Sequence, residues 1–301
     1  MEVTEMYQLK GMYAAIPTPF FEDESIDLEG VKTLVNYLID QGMHGIIAGG
    51  STGEYSMMST DERKSIIKAA CEAGKGKIDL VCGTGCPRAA ETIELSNYAA
   101  DCGADAVLVI TPHYMVMTED MLYDYYKTVA ENVKVGVIIY HFSGATGVSL
   151  SPTFMQKLAK IENIVGVKNT EDMDCTAKVI GLTQDNDSFN VAIGYDSLAL
   201  AHLASGGDAS MGVVHNIVPK TMQKIYSLVQ ENNLAEATKL MVSLNELIML
   251  TEAEPYPGPA KVALELMGLP GGVPRKPIAP PTDEMRANMK ACLVRMGIIE
   301  G

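Results

Sequence analysis

No apolar run in the 301-residue chain approaches the length needed to cross a bilayer. The N-terminus has no basic stretch leading into an apolar one, so no signal peptide is expected. Positive charge is scarce. Lys and Arg number 23 against 38 Asp and Glu, a net charge of -15. That balance makes nucleic acid and anionic membranes poor partners. An anionic substrate would need donors supplied by the site itself. Cysteines are few and unpatterned: Cys71, Cys82, Cys86, Cys102, Cys175 and Cys292 fit no zinc or redox spacing. They read as reduced thiols in a cytoplasmic protein. The five histidines are scattered and form no ligand pair at helical spacing, so neither a metal nor a cofactor is expected. No Gly-x-Gly-x-x-Gly follows the first apolar run, which argues against a doubly wound open sheet.

What the chain does have is a repeat of eight units. Hydrophobic content of 47% and charged content of 20% suit a globular enzyme. Short apolar runs at 12–17, 45–48, 78–83, 106–110, 135–140, 164–168, 190–194 and 210–214 are continuous rather than alternating. Parallel strands buried on both faces read this way. An amphipathic stretch follows each. Leu28, Val31, Leu34, Val35, Leu38 and Ile39 recur at helical spacing behind Asp27, a candidate N-cap. Ser59 and Glu62 stand at capping-box spacing. Pro152 and Pro219 sit where a first helical turn tolerates proline. Eight βα units predict a (β/α)₈ TIM barrel, an α/β fold, over residues 1–232. Residues 233–301 carry only helical patterns, at 234–250, 260–267 and 283–296, and are expected to form a C-terminal helical extension.

In such barrels the chemistry lies at the C-terminal strand ends. The sixth run, Ile164-Val165-Gly166-Val167, ends in Lys168, and the fifth ends in Tyr140. Lysine is seldom buried without a task; an amine taken out of water gives up its proton more readily and becomes a nucleophile. A lysine and a tyrosine on adjacent strand ends suggest Schiff-base chemistry on a carbonyl. The alternative is a lysine that snorkels its charge to solvent. The second strand runs into Gly49-Gly50-Ser51-Thr52-Gly53-Glu54, whose N–H groups and two hydroxyls could cradle a carboxylate. The other ends give Gly83-Thr84-Gly85, Thr111-Pro112-His113-Tyr114 and Gly194-Tyr195-Asp196. No carboxylate pair or Ser-His-Asp order competes with them.

These segments, with Ile139-Tyr140, Thr146-Gly147 and Gly166-Val167-Lys168, resemble the dihydrodipicolinate synthase / N-acetylneuraminate lyase family of class I, pyruvate-handling aldolases, over essentially the whole chain. The resemblance implies that Lys168 attacks the keto carbon of pyruvate or another 2-keto acid. It implies that Tyr140 moves protons, in a relay with Thr52 and with Tyr114 reaching in from a neighbouring subunit. Ser51, Thr52 and Gly53 would hold the carboxylate, and Gly194, Asp196 and Met211 would line the substrate site. It also implies a homo-oligomer, a dimer or tetramer.

Two departures from the family pattern bear on the substrate. Dihydrodipicolinate synthases carry an arginine in the loop after the tyrosine; here Ala145 stands there. Sialic acid lyases carry an Asp-Glu pair after the seventh strand and a serine after the eighth; here Asp196 precedes Ser197, and Val213 takes the serine's place. By elimination the chain resembles 2-keto-3-deoxy sugar acid aldolases, whose tyrosine loop also ends Ala-Thr-Gly. The alternatives are a 4-hydroxy-tetrahydrodipicolinate synthase, a Schiff-base dehydratase or deaminase of the same family, and a non-catalytic barrel that binds keto acids.

Overall fold

Eight short strands alternate with helices along the chain: β1 (Gly11–Ala15), β2 (Gly45–Ala48), β3 (Asp79–Gly83), β4 (Ala106–Ile110), β5 (Gly136–His141), β6 (Ile164–Asn169), β7 (Asn190–Ile193) and β8 (Ala209–Gly212). The structure is a computed structural model and describes residues 7–301. The strands form a closed barrel in sequence order. Every strand residue is buried except the half-buried Asp79 at the start of β3, which explains why the runs read as continuous rather than alternating. Asp79 accepts a hydrogen bond from Tyr13 at 2.8 Å.

The expected strands at 45–48 and 106–110 match to the residue, and the others differ by one or two positions at an end. The largest differences have local causes. β1 stops at Ala15, two residues short of Pro17, which has no N–H for a ladder. β8 stops at Gly212 because Val213 already has helical dihedrals, and a 3₁₀ turn, Val214–Asn216, follows. The Asn216 amide donates to the Ala15 and Val213 carbonyls, at 2.8 and 2.9 Å, and satisfies both strand ends.

Capping residues start the helices as their chemistry dictates. Asp27 accepts from the Gly30 N–H at 2.8 Å ahead of Leu28–Asp40. Ser59 and Glu62 form a reciprocal capping box ahead of Thr60–Gly74. Pro152 and Pro219 open Pro152–Leu158 and Pro219–Gln230. The tail is helical, but the single helix expected over 234–250 is two, Leu234–Ser243 and Asn245–Thr251. The break has a visible cause. Ser243 turns its hydroxyl back onto the Leu240 carbonyl at 2.7 Å, and the Leu244 N–H bonds the Met241 carbonyl three residues back instead of four. Helices Gly258–Leu266 and Asp283–Arg295 complete the tail.

The chain packs as two compact units. One takes residues 7–11 with Val81–Met211; the other takes Met12–Leu80 with Gly212–Gly301. The first carries β4–β7 and therefore Tyr140 and Lys168. The second carries the Ser51–Thr52 loop and the helical tail.

Candidate active site

Parallel pairing sets the lysine beside the tyrosine. Tyr140 on β5 is the register partner of Lys168 on β6, and Lys168 in turn partners Ala192 on β7. Both side chains are buried, Lys168 at 5% and Tyr140 at 4% exposure. Lys168 Nζ lies 4.3 Å from the centroid of the Tyr140 ring. The snorkelling alternative is thus not what the side chain does. Room for the lysine depends on Gly194: a Cβ there would stand 2.0 Å from Thr170 Oγ1 and 3.1 Å from Lys168 Cε. Asp196 is buried at the first position of the 3₁₀ turn Asp196–Leu198, and Met211 is fully buried in β8.

The tyrosine is fixed from both sides. Its carbonyl accepts from the Thr111 N–H and the Thr111 hydroxyl, each at 3.1 Å. Its ring stacks on Phe142, centroids 6.1 Å apart, and Phe142 meets Tyr195 edge-on at 6.2 Å. The next residue, His141, accepts from the Leu150 N–H through Nε2 at 3.0 Å. Its proton therefore sits on Nδ1, which donates to Asn169 Oδ1 at 2.8 Å. Burial pushes the pKa of this imidazole below its ordinary value, and Asn169 and Glu171 oppose that shift only in part. Glu171 accepts from the N–H and hydroxyl of Ser143, at 2.7 and 2.8 Å, and so pins the start of the loop that ends Ala145-Thr146-Gly147. Ala145 lies exposed in the short helix Ser143–Thr146.

In the other unit, Thr52 is 3% exposed and its hydroxyl lies 2.6 Å from the phenol oxygen of Tyr256. The Gly53 carbonyl accepts from the Thr18 hydroxyl at 2.8 Å. Glu54 takes a left-handed backbone, φ 59°, and is anchored at both oxygens. Lys261 Nζ stands 2.5 Å from Oε1, and the Arg275 N–H donates to Oε2 at 2.8 Å. Lys261 is 1% exposed; it also donates to the Val273 carbonyl at 2.7 Å and lies 4.6 Å over the Phe20 ring. Burial lowers its pKa, and the Glu54 charge opposes that. The Arg275 guanidinium binds both oxygens of Glu62, at 2.6 and 3.1 Å, and holds the pKa of that carboxyl down at about 2.

Tyr256, Lys261 and Arg275 are not among the site residues expected from the sequence; Tyr256 falls between the helical patterns at 234–250 and 260–267. A signal for Lys261 exists: it interrupts the apolar run Pro259-Ala260-Lys261-Val262-Ala263-Leu264 as Lys168 ends another. Tyr114 differs from Lys168, Tyr140 and Thr52 in exposure. It is 95% exposed with φ 75°, beside the exposed Met115 and Val116. Among the described residues, no group of three or more His, Cys, Asp or Glu could hold a metal. Among the same residues, no helix is long and apolar enough to cross a membrane.

The model of the dihydrodipicolinate synthetase family matches residues 8–296. The chain belongs to that family. The 4-hydroxy-tetrahydrodipicolinate synthase of Methanothrix thermoacetophila is 33% identical over 293 residues, covering 97% of this chain and 98% of that protein. The synthase of Acetivibrio thermocellus is 34% identical over 289 residues, covering 96% and 98%. The solved chloride-inhibited dihydrodipicolinate synthase of Acinetobacter baumannii, complexed with pyruvate, superposes with a TM-score of 0.92 at 34% identity, covering 97% of this chain and all of that one. Dihydrodipicolinate synthetase family members are class I aldolases, and the chain is a lyase of this class. The names of these relatives reverse the order of the substrate readings: the synthase, second in the sequence reading, has more support than the sugar acid aldolase.

Proposed function

We propose that the chain forms a Schiff base between Lys168 and pyruvate and joins the resulting enamine to an aldehyde, as a 4-hydroxy-tetrahydrodipicolinate synthase does with its own second substrate. The observation that carries the chemistry is a buried lysine in register with a buried tyrosine, with its amine 4.3 Å from the ring centroid. The amine adds to the keto carbon, water leaves, and the imine withdraws electrons so that a methyl proton of pyruvate can be lost. Tyr140 carries protons in these steps. Ser51, Thr52 and Gly53 hold the carboxylate with hydroxyls and N–H groups, which suits a protein of net charge -15 that must supply its own donors. Gly194, Asp196 and Met211 line the substrate site. Thr52 and Tyr114 belong to the proton relay, with Tyr114 offered by a second copy; its exposure and left-handed backbone support that role. The protein works as a homo-oligomer in the cytoplasm, on pyruvate or a related 2-keto acid.

The relatives support aspartate semialdehyde as the aldehyde. A second reading, cleavage of a 2-keto-3-deoxy sugar acid, is favoured by one observation: Ala145 cannot make the bidentate carboxylate contact of an arginine. Steady-state assays separate them. With pyruvate and aspartate semialdehyde, kcat/KM of about 10⁴ M⁻¹s⁻¹ or more is expected of a synthase. A far smaller value, with efficient pyruvate release from a 2-keto-3-deoxy sugar acid, would establish the second reading instead.

A further inference from the structure

Thr52 has a phenol partner from its own chain. The hydroxyl lies 2.6 Å from Tyr256, 204 residues further along. Tyr256 sits just before helix Gly258–Leu266, and its N–H donates to Glu254 Oε2 at 3.0 Å. The same helix supplies Lys261, whose buried ammonium grips Glu54, two residues after Thr52. The loop and the phenol are therefore tied together at two points, one an ion pair 1% exposed on each side. This is a built contact between named groups, not a chance approach of two surface side chains.

A threonine hydroxyl has one proton to give and lone pairs to receive with. It is far too weak an acid to move a proton alone. It can do so only by taking one from a second group as it gives its own. We propose that Tyr256 is that second group: it fixes the rotation of the Thr52 hydroxyl and replaces the proton that Thr52 passes on. In that step the Thr52 O–H bond breaks as its proton passes to the Tyr140 phenolate of the relay and the Tyr256 O–H bond breaks as a new Thr52 O–H bond forms; removal of a methyl proton runs the same transfers in reverse. The charge left on the phenol oxygen is cleared by a proton from water, which the half-buried ring permits. Tyr256 is thus a positioning residue acting through Thr52 from within the same subunit, in addition to the Tyr114 of a second copy. The proposal rests on the Lys168–pyruvate chemistry proposed above.

Exchange of the pyruvate methyl protons in D₂O, followed by NMR, reads enamine formation with pyruvate as the only substrate. The Tyr256→Phe variant keeps the ring and should fold with an unchanged melting temperature. Its exchange kcat should fall about 10- to 100-fold, with KM for pyruvate within about twofold of wild type. Placed in a Thr52→Val background, Tyr256→Phe should cost nothing further. In Thr52→Ser, which restores a hydroxyl, the dependence on Tyr256 should return. Full exchange activity in Tyr256→Phe would overturn the proposal, as would losses that multiply in the Thr52→Val double variant. Wild-type protein that traps no pyruvate under borohydride would overturn the proposed function as well. Wild-type trapping with an active Tyr256→Phe would overturn this proposal alone.

Discussion

Tyr140 and Lys168 face each other across the β5–β6 ladder, and the tyrosine is locked by Thr111, Phe142 and its own strand. A phenol held so firmly has little to gain from mobility and much from a fixed distance to the amine. Tyr140→Phe should keep the fold and the imine while pyruvate methyl exchange falls about 10²- to 10⁴-fold, the usual worth of a positioned acid–base group. A loss below about tenfold, with pyruvate binding unchanged, would remove Tyr140 as the proton carrier. At this scale the sequence is legible where a polar residue closes an apolar run, as Lys168 and Tyr140 do. It is not legible where the partner comes from far along the chain. Nothing local to Tyr256 tells that its hydroxyl reaches Thr52.

At the scale of elements, ion pairs anchor the Thr52 loop and the helix that follows it. Arg275 binds Glu62 with both oxygens and also takes the Met57 and Glu24 carbonyls, at 2.9 and 2.6 Å. The Glu62 carboxyl titrates near 2 in the folded chain, against an ordinary value of 4.5. The folded value is depressed, so the stabilisation is complete above about 4.5 and is lost as the pH falls through about 2. Glu62→Gln should therefore melt below wild type at pH 7, and the gap should close across that window. A gap that stays constant from pH 7 to pH 2 would show that the ionised carboxylate contributes nothing. His141 works in the same direction at higher pH. Its imidazole is kept neutral by burial, whereas the unfolded chain takes up a proton below about 6.5. Stability from this group is full above that value and declines below it. Thermal melts of wild type and His141→Gln should converge as the pH drops from 7.5 to about 5. Parallel melting curves would contradict the neutral tautomer. Caps were readable in the sequence because Asp27 and Ser59 act within three residues. The break at Leu244 was not, because apolar periodicity continues through it and a single serine hydroxyl decides the geometry.

At the scale of the whole molecule, eight repeats of apolar run and amphipathic stretch were enough to read the barrel, since burial on both faces leaves a continuous pattern. The proposed assembly calls for a different trace. Tyr114, Met115 and Val116 are 95%, 65% and 100% exposed, an apolar surface that suits a second copy. If Tyr114 serves a neighbour's site, inactive Tyr114→Phe and inactive Lys168→Ala subunits should regain activity when mixed, because a mixed dimer pairs a wild-type lysine with a wild-type tyrosine. Verified mixed dimers as inactive as their parents would confine Tyr114 to its own subunit.

Every step in this scheme depends on one covalent bond, and borohydride reduction in the presence of pyruvate tests it most directly. Intact protein should gain the mass of one reduced pyruvate per chain, and peptide mapping should place it on Lys168, with no gain in Lys168→Ala. An unchanged mass, or the adduct on Lys261 or any other lysine, would contradict the assignment of Lys168 as the nucleophile.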